Sequence, residues 1–260
     1  MVTDNKTADA NLESMLRIFT VPEAPDSTLG KIEQELSQNL NQFLREHIVA
    51  EEKPLTEIEK DFTDSSMPET PTYVSEHTEH LLDNLVSQSV HTSAPSFIGH
   101  MTSALPYFLM PLSKIMIALN QNLVKIETSK AFTPLERQVL GILHRLIYGE
   151  KDAFYQHWMH SADHSLGAFC SGGTIANITA LWVARNRLFK PDGDFEGIAK
   201  QGLFAALTHY KCNGLAIFVS ERGHYSVKKA ADVLGIGQDG VIAVKTDNNN
   251  RICLDDLQLK

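Results

Sequence analysis

The stretch Gly167-Ala168-Phe169-Cys170-Ser171-Gly172-Gly173-Thr174-Ile175-Ala176-Asn177 carries the strongest structural signal in the chain. A short apolar run leads into a Ser-Gly-Gly-Thr turn, and the helix-forming residues 176–189 follow at once. This order predicts a strand, a tight turn and a helix with Thr174 as its N-cap. Backbone N–H groups at a helix N-terminus bind phosphate well, because the helix dipole adds to their hydrogen bonds. The stretch therefore predicts a phosphate site, and an ordinary capped turn is the alternative.

The composition narrows the class of protein. The 260 residues are 43% hydrophobic and 21% charged, with a formal net charge of −9, which is typical of a globular protein. The acidic balance argues against nucleic acid and against an anionic membrane surface as partners. Residues 1–10 are polar, so we expect no secretory signal and no membrane span. Three widely spaced cysteines without a CxxC pair predict a reduced, cytoplasmic protein.

The first half of the chain is predicted to be helical. A helical period of apolar residues begins at Ser27, and residues 77–89 predict another helix. Glu51–Pro71 is acidic and contains proline, which predicts a linker or loop. Residues 1–70 are therefore interpreted as an N-terminal helical arm with an acidic linker.

Two strongly amphipathic helices are predicted next. The first opens at Pro111 and keeps apolar residues at helical spacing as far as Ile126. The second starts at Thr133-Pro134-Leu135-Glu136, which has the form of a capping box with proline at the first helical position. Both apolar stripes are interpreted as core or subunit interface.

The last part of the chain predicts an α/β fold. Residues 215–220 form an apolar run, residues 225–234 read as a helix, and residues 240–244 form a second apolar run. A strand, a helix and a strand with short connections make a βαβ unit and a parallel sheet. A turn at residues 247–250 and a helix beginning near Asp255 complete the prediction.

Two segments are expected at the carboxyl edge of this sheet, where open parallel α/β folds bind ligands. One is the Ser171–Thr174 turn. The other is Ser220-Glu221-Arg222-Gly223-His224, which ends on a histidine just before a helix. His224 is therefore a candidate site residue, and a helix-capping or loop histidine is the alternative.

Three other patterns are set aside. Gly235–Gly240 fits GxGxxG, but it follows a predicted helix and precedes a strand, the reverse of a dinucleotide-binding context. No lysine follows the 171–174 turn in the way a Walker A sequence requires. His157, His160 and His164 could share a helix face, but no fourth ligand is near, so no metal site is predicted.

Taken together, four segments resemble the group II pyridoxal-phosphate (PLP) amino-acid decarboxylases. Residues 91–98 resemble the substrate-side His-Pro-x-Phe segment of that family, and residues 133–136 resemble its Thr-x-Leu-Glu helix start. Residues 169–185 resemble the cofactor phosphate loop with its helix, and residues 220–230 resemble the segment with the ring-stacking histidine. Their order and spacing agree along residues 75–245.

The resemblance implies a role for each matching position. Gly173 and Thr174 would hold the PLP phosphate, and His224 would stack on the pyridine ring and help to orient the substrate carboxylate. The substrate pocket would be lined by Ser103, His100 and Thr102. One departure is visible, because residues 92–94 interrupt the His-Pro pair of the family.

The resemblance also implies a fold and an activity. Residues 71–260 would be the first, incomplete part of a PLP fold type I large domain, and the full-length enzyme would be a homodimer. The sequence is most similar to the bacterial aspartate 1-decarboxylases of the group, with glutamate as the alternative substrate. The family needs a covalent lysine and an aspartate on the pyridine nitrogen, and Lys228 and Lys229 follow His224 too closely to match. The chain alone is therefore expected to be inactive, either as an enzyme fragment or as a non-catalytic truncated subunit.

Overall fold

The computed structural model describes residues 34, 50, 52–67, 69, 74–99, 101–102, 104–106 and 108–260. The chain divides into two compact units, Met1–Asn120 and Gln121–Lys260. Apart from Gln34, the helix predicted from Ser27 lies outside the described residues. The division at residue 70 stays a prediction. None of the helices in the described ranges is long and apolar enough to cross a membrane.

The first unit is helical in its described part. Its elements are α1 (Leu55–Ile58), a 3-10 turn (Glu59–Phe62), α2 (Val74–His80), a π-helical continuation (Leu81–Val86) and α3 (Leu109–Leu119). The helix predicted over residues 77–89 is confirmed, although it begins earlier. The loop predicted over Glu51–Pro71 is wrong for residues 55–62. Pro54 stands at the N-cap of α1, and its carbonyl accepts the Glu57 N–H at 2.9 Å, so the proline starts a helix.

Helix α3 is shorter than its apolar stripe predicted. It ends at Leu119 because Asn120 adopts a left-handed conformation with φ of 41°. The Asn120 N–H bonds the Met116 carbonyl at 3.0 Å, which closes the last turn. The prediction that one helix extends to Ile126 is therefore wrong, and Asn120 was the missed stop signal.

The second unit contains seven further helices among the described residues. They are α4 (Ile126–Ser129), α5 (Phe132–Tyr148), α6 (Asp152–Trp158), α7 (Gly173–Leu188), α8 (Ile198–His209), α9 (Ser226–Val233) and α10 (Leu254–Leu259). Thr133 was predicted to cap α5 but does not, because the helix begins at Phe132, two residues before the predicted first helical residue, Pro134. Thr133 is buried, and its hydroxyl bonds the Ser129 hydroxyl. Helix α5 ends at Gly149, whose φ of 63° is accessible to glycine without strain.

The sheet confirms the predicted βαβ unit. Strands β1 (Ile217–Ser220) and β2 (Val241–Val244) pair in parallel, with Ile217 opposite Val241, and α9 connects them. The turn at residues 247–250 and the helix at Leu254 are also as predicted. The strand predicted over residues 167–170 is wrong. Within the described residues that run lies in no ladder, and without a neighbouring strand an apolar run gains no ladder hydrogen bonds.

In the second unit, hydrogen bonds hold α7 and α9 side by side. Asn177 of α7 bonds Ser226, and Arg185 of α7 bonds the carbonyl of Leu234, each across 49 residues of sequence. Because the offset is constant over two turns, α7 and α9 run parallel. Ala230 and Ala231 of α9 and Val244 of β2 are fully buried. A separate cluster of Phe189, Phe195, Ile198 and Ala206 anchors α8.

Candidate functional site

The N-terminus of α7 is an open cluster of backbone donors. Gly172 enters the helix in an extended conformation, and its carbonyl accepts the Ala176 N–H at 3.0 Å. In the part of the chain that the structure describes, the N–H groups of Gly173, Thr174 and Ile175 have no acceptor. A Cβ placed on Gly172 or Gly173 would meet no atom within 4 Å. The donors therefore face free space that an anion can fill.

Thr174 does not have the predicted capping role. Gly172 stands at the N-cap position, no side chain caps the helix, and Thr174 is the second helical residue. The prediction failed because glycine at the N-cap lets the helix start earlier than a hydroxyl cap would. Thr174 is half-buried and keeps its backbone N–H among the free donors.

His224 follows a tight turn at the carboxyl end of β1. The turn closes through the Gly223 N–H, which donates to the Ser220 carbonyl at 2.7 Å. A Cβ on Gly223 would lie 2.5 Å from Cγ2 of Val219 and 2.9 Å from the Ser220 oxygen, so only glycine fits. The Glu221 N–H extends the ladder to the Val244 carbonyl at 2.8 Å. The turn that carries His224 is thus tied to both strands.

The Glu221 carboxylate provides a second tie. Its Oε1 atom accepts the hydroxyl and the backbone N–H of Thr246, each at 2.8 Å. These bonds, the hydroxyl first, lower the pKa of Glu221 below the usual glutamate range. The carboxylate is exposed to solvent, so the effect on stability is small.

We expect this tie to depend on pH. The pKa of Glu221 is lowered in the folded protein. The bonds to Thr246 therefore stabilise the fold above the ordinary glutamate pKa of about 4.3, and this stabilisation is lost as the pH falls through the folded pKa of Glu221. Glu221→Gln should therefore be less stable than the native chain at neutral pH, and the difference should shrink in acid. Urea unfolding at several pH values measures this, with Glu150→Gln, an exposed glutamate, as the control. A difference that is constant with pH would contradict the expectation.

The His224 ring is held through one nitrogen. Its Nδ1 accepts the Ser226 N–H at 3.2 Å and lies 2.8 Å from the Ser226 hydroxyl. The ring also packs against Tyr225, with centroids 4.1 Å apart, and Lys229 lies over the Tyr225 ring at 4.7 Å. His224 is nevertheless exposed, so part of its ring can contact a ligand.

A hydrogen bond joins these two parts of the site. The side-chain N–H of Asn177, in the first turns of α7, donates to the Ser226 hydroxyl at 2.8 Å. Neither Asn177 nor Ser226 was predicted as a site residue from the sequence. Their signal was a polar side chain in a largely apolar helix and a serine two residues after the histidine. The predicted neighbours, the 171–174 turn and His224, thus lie on elements that are bonded to each other.

The other predicted residues are less connected. Thr102 is exposed and belongs to the first unit, while His100 and Ser103 lie outside the described residues. His157, His160 and His164 do not share a helix, because α6 ends at Trp158. In the described ranges no three potential ligands group around a metal position.

The arrangement fits a phosphate-bearing aromatic cofactor. The α7 N-terminus offers uncapped N–H groups in front of two glycines that leave space, which suits a phosphate dianion. His224 offers an exposed imidazole on the neighbouring element, which suits stacking on a flat ring.

Comparison with known proteins agrees with this chemistry. Residues 54–260 match the model of the pyridoxal-dependent decarboxylase conserved domain. The chain is 94% identical over all 260 residues to an aspartate 1-decarboxylase of Aliivibrio fischeri, of which it spans 48%. It is 32% identical over 174 residues to a cysteine sulfinic acid decarboxylase of Mus musculus, which is 67% of this chain and 30% of that protein.

A solved structure resembles this chain in its fold. A crystal structure of mouse CSAD superposes with a TM-score of 0.72 at 26% identity, covering 92% of this chain and 45% of that one. The predicted fold class, the opening of a PLP fold type I domain, is confirmed, and so is pyridoxal 5'-phosphate as the cofactor of the family. The chain spans about half the length of its nearly identical relative and less of the more distant ones. It belongs to the pyridoxal-dependent decarboxylase family.

Proposed function

We propose that this chain is part of an enzyme that removes the 1-carboxylate of L-aspartate to give β-alanine and CO2. The observation that carries the proposal is the 94% identity to an aspartate 1-decarboxylase along the whole chain. Identity at this level leaves few positions at which a substrate preference could have changed within these residues.

We propose that Gly173 and Thr174 hold the PLP phosphate and that His224 lies against the pyridine ring. The free N–H groups of α7 and the exposed imidazole support these roles. Bound PLP supplies an electron sink for the pair released from the bond between Cα and the carboxylate. The residues of this chain bind the phosphate, keep the ring flat and help to orient the departing carboxylate.

Substrate recognition is proposed to involve Thr102, His100 and Ser103. Hydroxyl and imidazole groups can donate hydrogen bonds to a carboxylate, and aspartate carries a second carboxylate that must be held. A site built to bond this group rejects substrates that place it one methylene further away.

We also propose that the covalent lysine and the aspartate on the pyridine nitrogen are supplied from outside this chain. Lys229 is engaged with Tyr225, and Lys228 is exposed on α9 only four residues after His224. The chain spans 48% of the aspartate 1-decarboxylase that it resembles, so about half of that protein has no counterpart here. Residues 1–260 alone should therefore give no turnover.

The test is a substrate comparison with the full-length protein in saturating PLP. Release of CO2 and of the product amine is measured with L-aspartate, L-glutamate and L-cysteine sulfinate. We expect kcat/KM for aspartate to exceed that for glutamate by at least about tenfold, the usual discrimination for one methylene. A preference for glutamate, or no release that depends on PLP, would refute the proposal. Turnover by residues 1–260 alone would refute the proposal that the covalent lysine is supplied from outside this chain.

A cytoplasmic homodimer is proposed for the full-length protein. All three cysteines are free in the structure, which suits a reducing compartment. Helix α5 carries exposed Leu135, Ile142, Leu146 and Ile147, and an apolar face of this kind is normally covered by further protein. Light scattering of the full-length protein tests the dimer.

A further inference from the structure

We propose that Asn177 and Ser226 are positioning residues that fix the orientation and the proton of His224. The proposal rests on the role proposed above for His224 and adds two residues to it. Its basis is a chain of hydrogen bonds from Asn177 through Ser226 to the imidazole, which connects the phosphate-binding end of α7 to the ring-stacking group.

The direction of the bonds follows from one donor that cannot reverse. The Ser226 backbone N–H points at Nδ1 of His224 at 3.2 Å, and a backbone N–H only donates. Nδ1 is therefore an acceptor and carries no proton. In the neutral ring the proton must then be on Nε2.

The hydroxyl of Ser226 has its direction set in the same way. It accepts the Asn177 side-chain N–H at 2.8 Å, which leaves its own hydrogen free to donate to Nδ1 at 2.8 Å. Ser226 is only 1% exposed, so water does not compete for these bonds. Shielded bonds of this kind hold a ring more firmly than bonds made at the surface.

The result is a histidine with one held nitrogen and one free donor. Nε2 has no hydrogen-bond partner in the described part of the chain, so its N–H is available to the substrate carboxylate. Tyr225 packs on the ring and limits its rotation further. Asn177 lies four residues after Gly173, the first residue of α7. A movement of α7 at the phosphate site would therefore also move Asn177, which supports His224.

The tautomer of His224 is the first test. Full-length protein with ¹⁵N-labelled histidine and bound PLP is studied by magic-angle-spinning NMR, and His224→Gln assigns the signal. We expect an unprotonated Nδ1 and a protonated Nε2. A proton on Nδ1 of the neutral ring would overturn the proposal. The readout does not involve aspartate, so it is independent of whether aspartate is the substrate.

Two variants test the relay. Asn177→Asp replaces the donor with an acceptor, which draws the Ser226 hydroxyl away from Nδ1, and Ser226→Ala removes the hydroxyl. In both we expect the Nδ1 resonance to move and kcat to fall about tenfold or more, since small misplacements are costly in catalysis. Ser226→Thr, which restores a hydroxyl, should recover the resonance.

Asn186→Asp is the matched control, because it makes the same change on α7 at the end where Asn186 contacts Arg185. It should leave the Nδ1 resonance at the native value. A native resonance in both Asn177→Asp and Ser226→Ala would overturn the proposal. If these variants do not fold, the tautomer of the native protein still decides it.

Discussion

Replacing His224 with alanine is expected to lower kcat for aspartate by about a hundredfold in the full-length protein, the cost of a misplaced reacting group. The variant loses the imidazole that we propose lies against the cofactor ring, and with it the Nε2–H that we propose donates to the substrate carboxylate. Stability should change much less, by about 1 kcal/mol, because the side chain is exposed and loses only the Nδ1 bonds to Ser226 and the ring contact with Tyr225.

Steady-state kinetics at saturating PLP measure this effect, and thermal unfolding checks the fold. His157→Ala is the control, because His157 is an exposed histidine at the end of α6, outside the site. It should keep native turnover. Native kcat in His224→Ala would show that the exposed imidazole is an ordinary loop histidine.

Replacing Gly173 with aspartate is expected to separate cofactor binding from helix stability. A Cβ added here would meet no atom within 4 Å, so the variant should fold. A carboxylate in the first turn of α7 should stabilise the helix by about 0.3–1 kcal/mol, because it complements the dipole. The same carboxylate occupies the proposed phosphate position. Repulsion between two charges at about 4 Å is worth about 4 kcal/mol near a protein surface, so PLP affinity should fall at least about a hundredfold.

Titration of the apo protein with PLP and thermal unfolding without PLP measure the two effects. Gly173→Ala is the matched control, since it adds the Cβ without the charge. We expect its PLP affinity to lie between those of the native protein and Gly173→Asp. If Gly173→Asp binds PLP like the native protein, the phosphate is not held at the N-terminus of α7.

Much of the second unit could be predicted because its signals are local. The run at 215–220, the helix after it and the run at 240–244 each show their period within a few residues, and short connections leave one arrangement for them. Gly223 and His224 come directly after the first of these runs, so their place at the carboxyl end of β1 could be predicted. The order of four motifs then indicated the family, which no single motif could do.

The ends of the helices were predicted less well, because each end depends on the backbone conformation of a single residue. The left-handed Asn120 ends α3 although the apolar stripe continues, and Gly172 starts α7 before the hydroxyl that was expected to cap it. The run at 167–170 has the composition of a strand, but a strand also needs a neighbour with which to pair.

The sequence by itself determined several of the helices, the parallel pair of strands, the glycine turn and the candidate histidine. Periodicity and turn chemistry are contained in short segments of the chain, and the order of the motifs can be read directly from the sequence. Only the tertiary structure decided that Asn177 supports His224 through Ser226, and that Glu221 ties the histidine turn to Thr246. The contacts of Asn177 with Ser226 and of Glu221 with Thr246 join residues 49 and 25 positions apart. They exist only because β1, α9 and β2 pack together and α7 lies parallel to α9, and no local pattern encodes which side chains then meet.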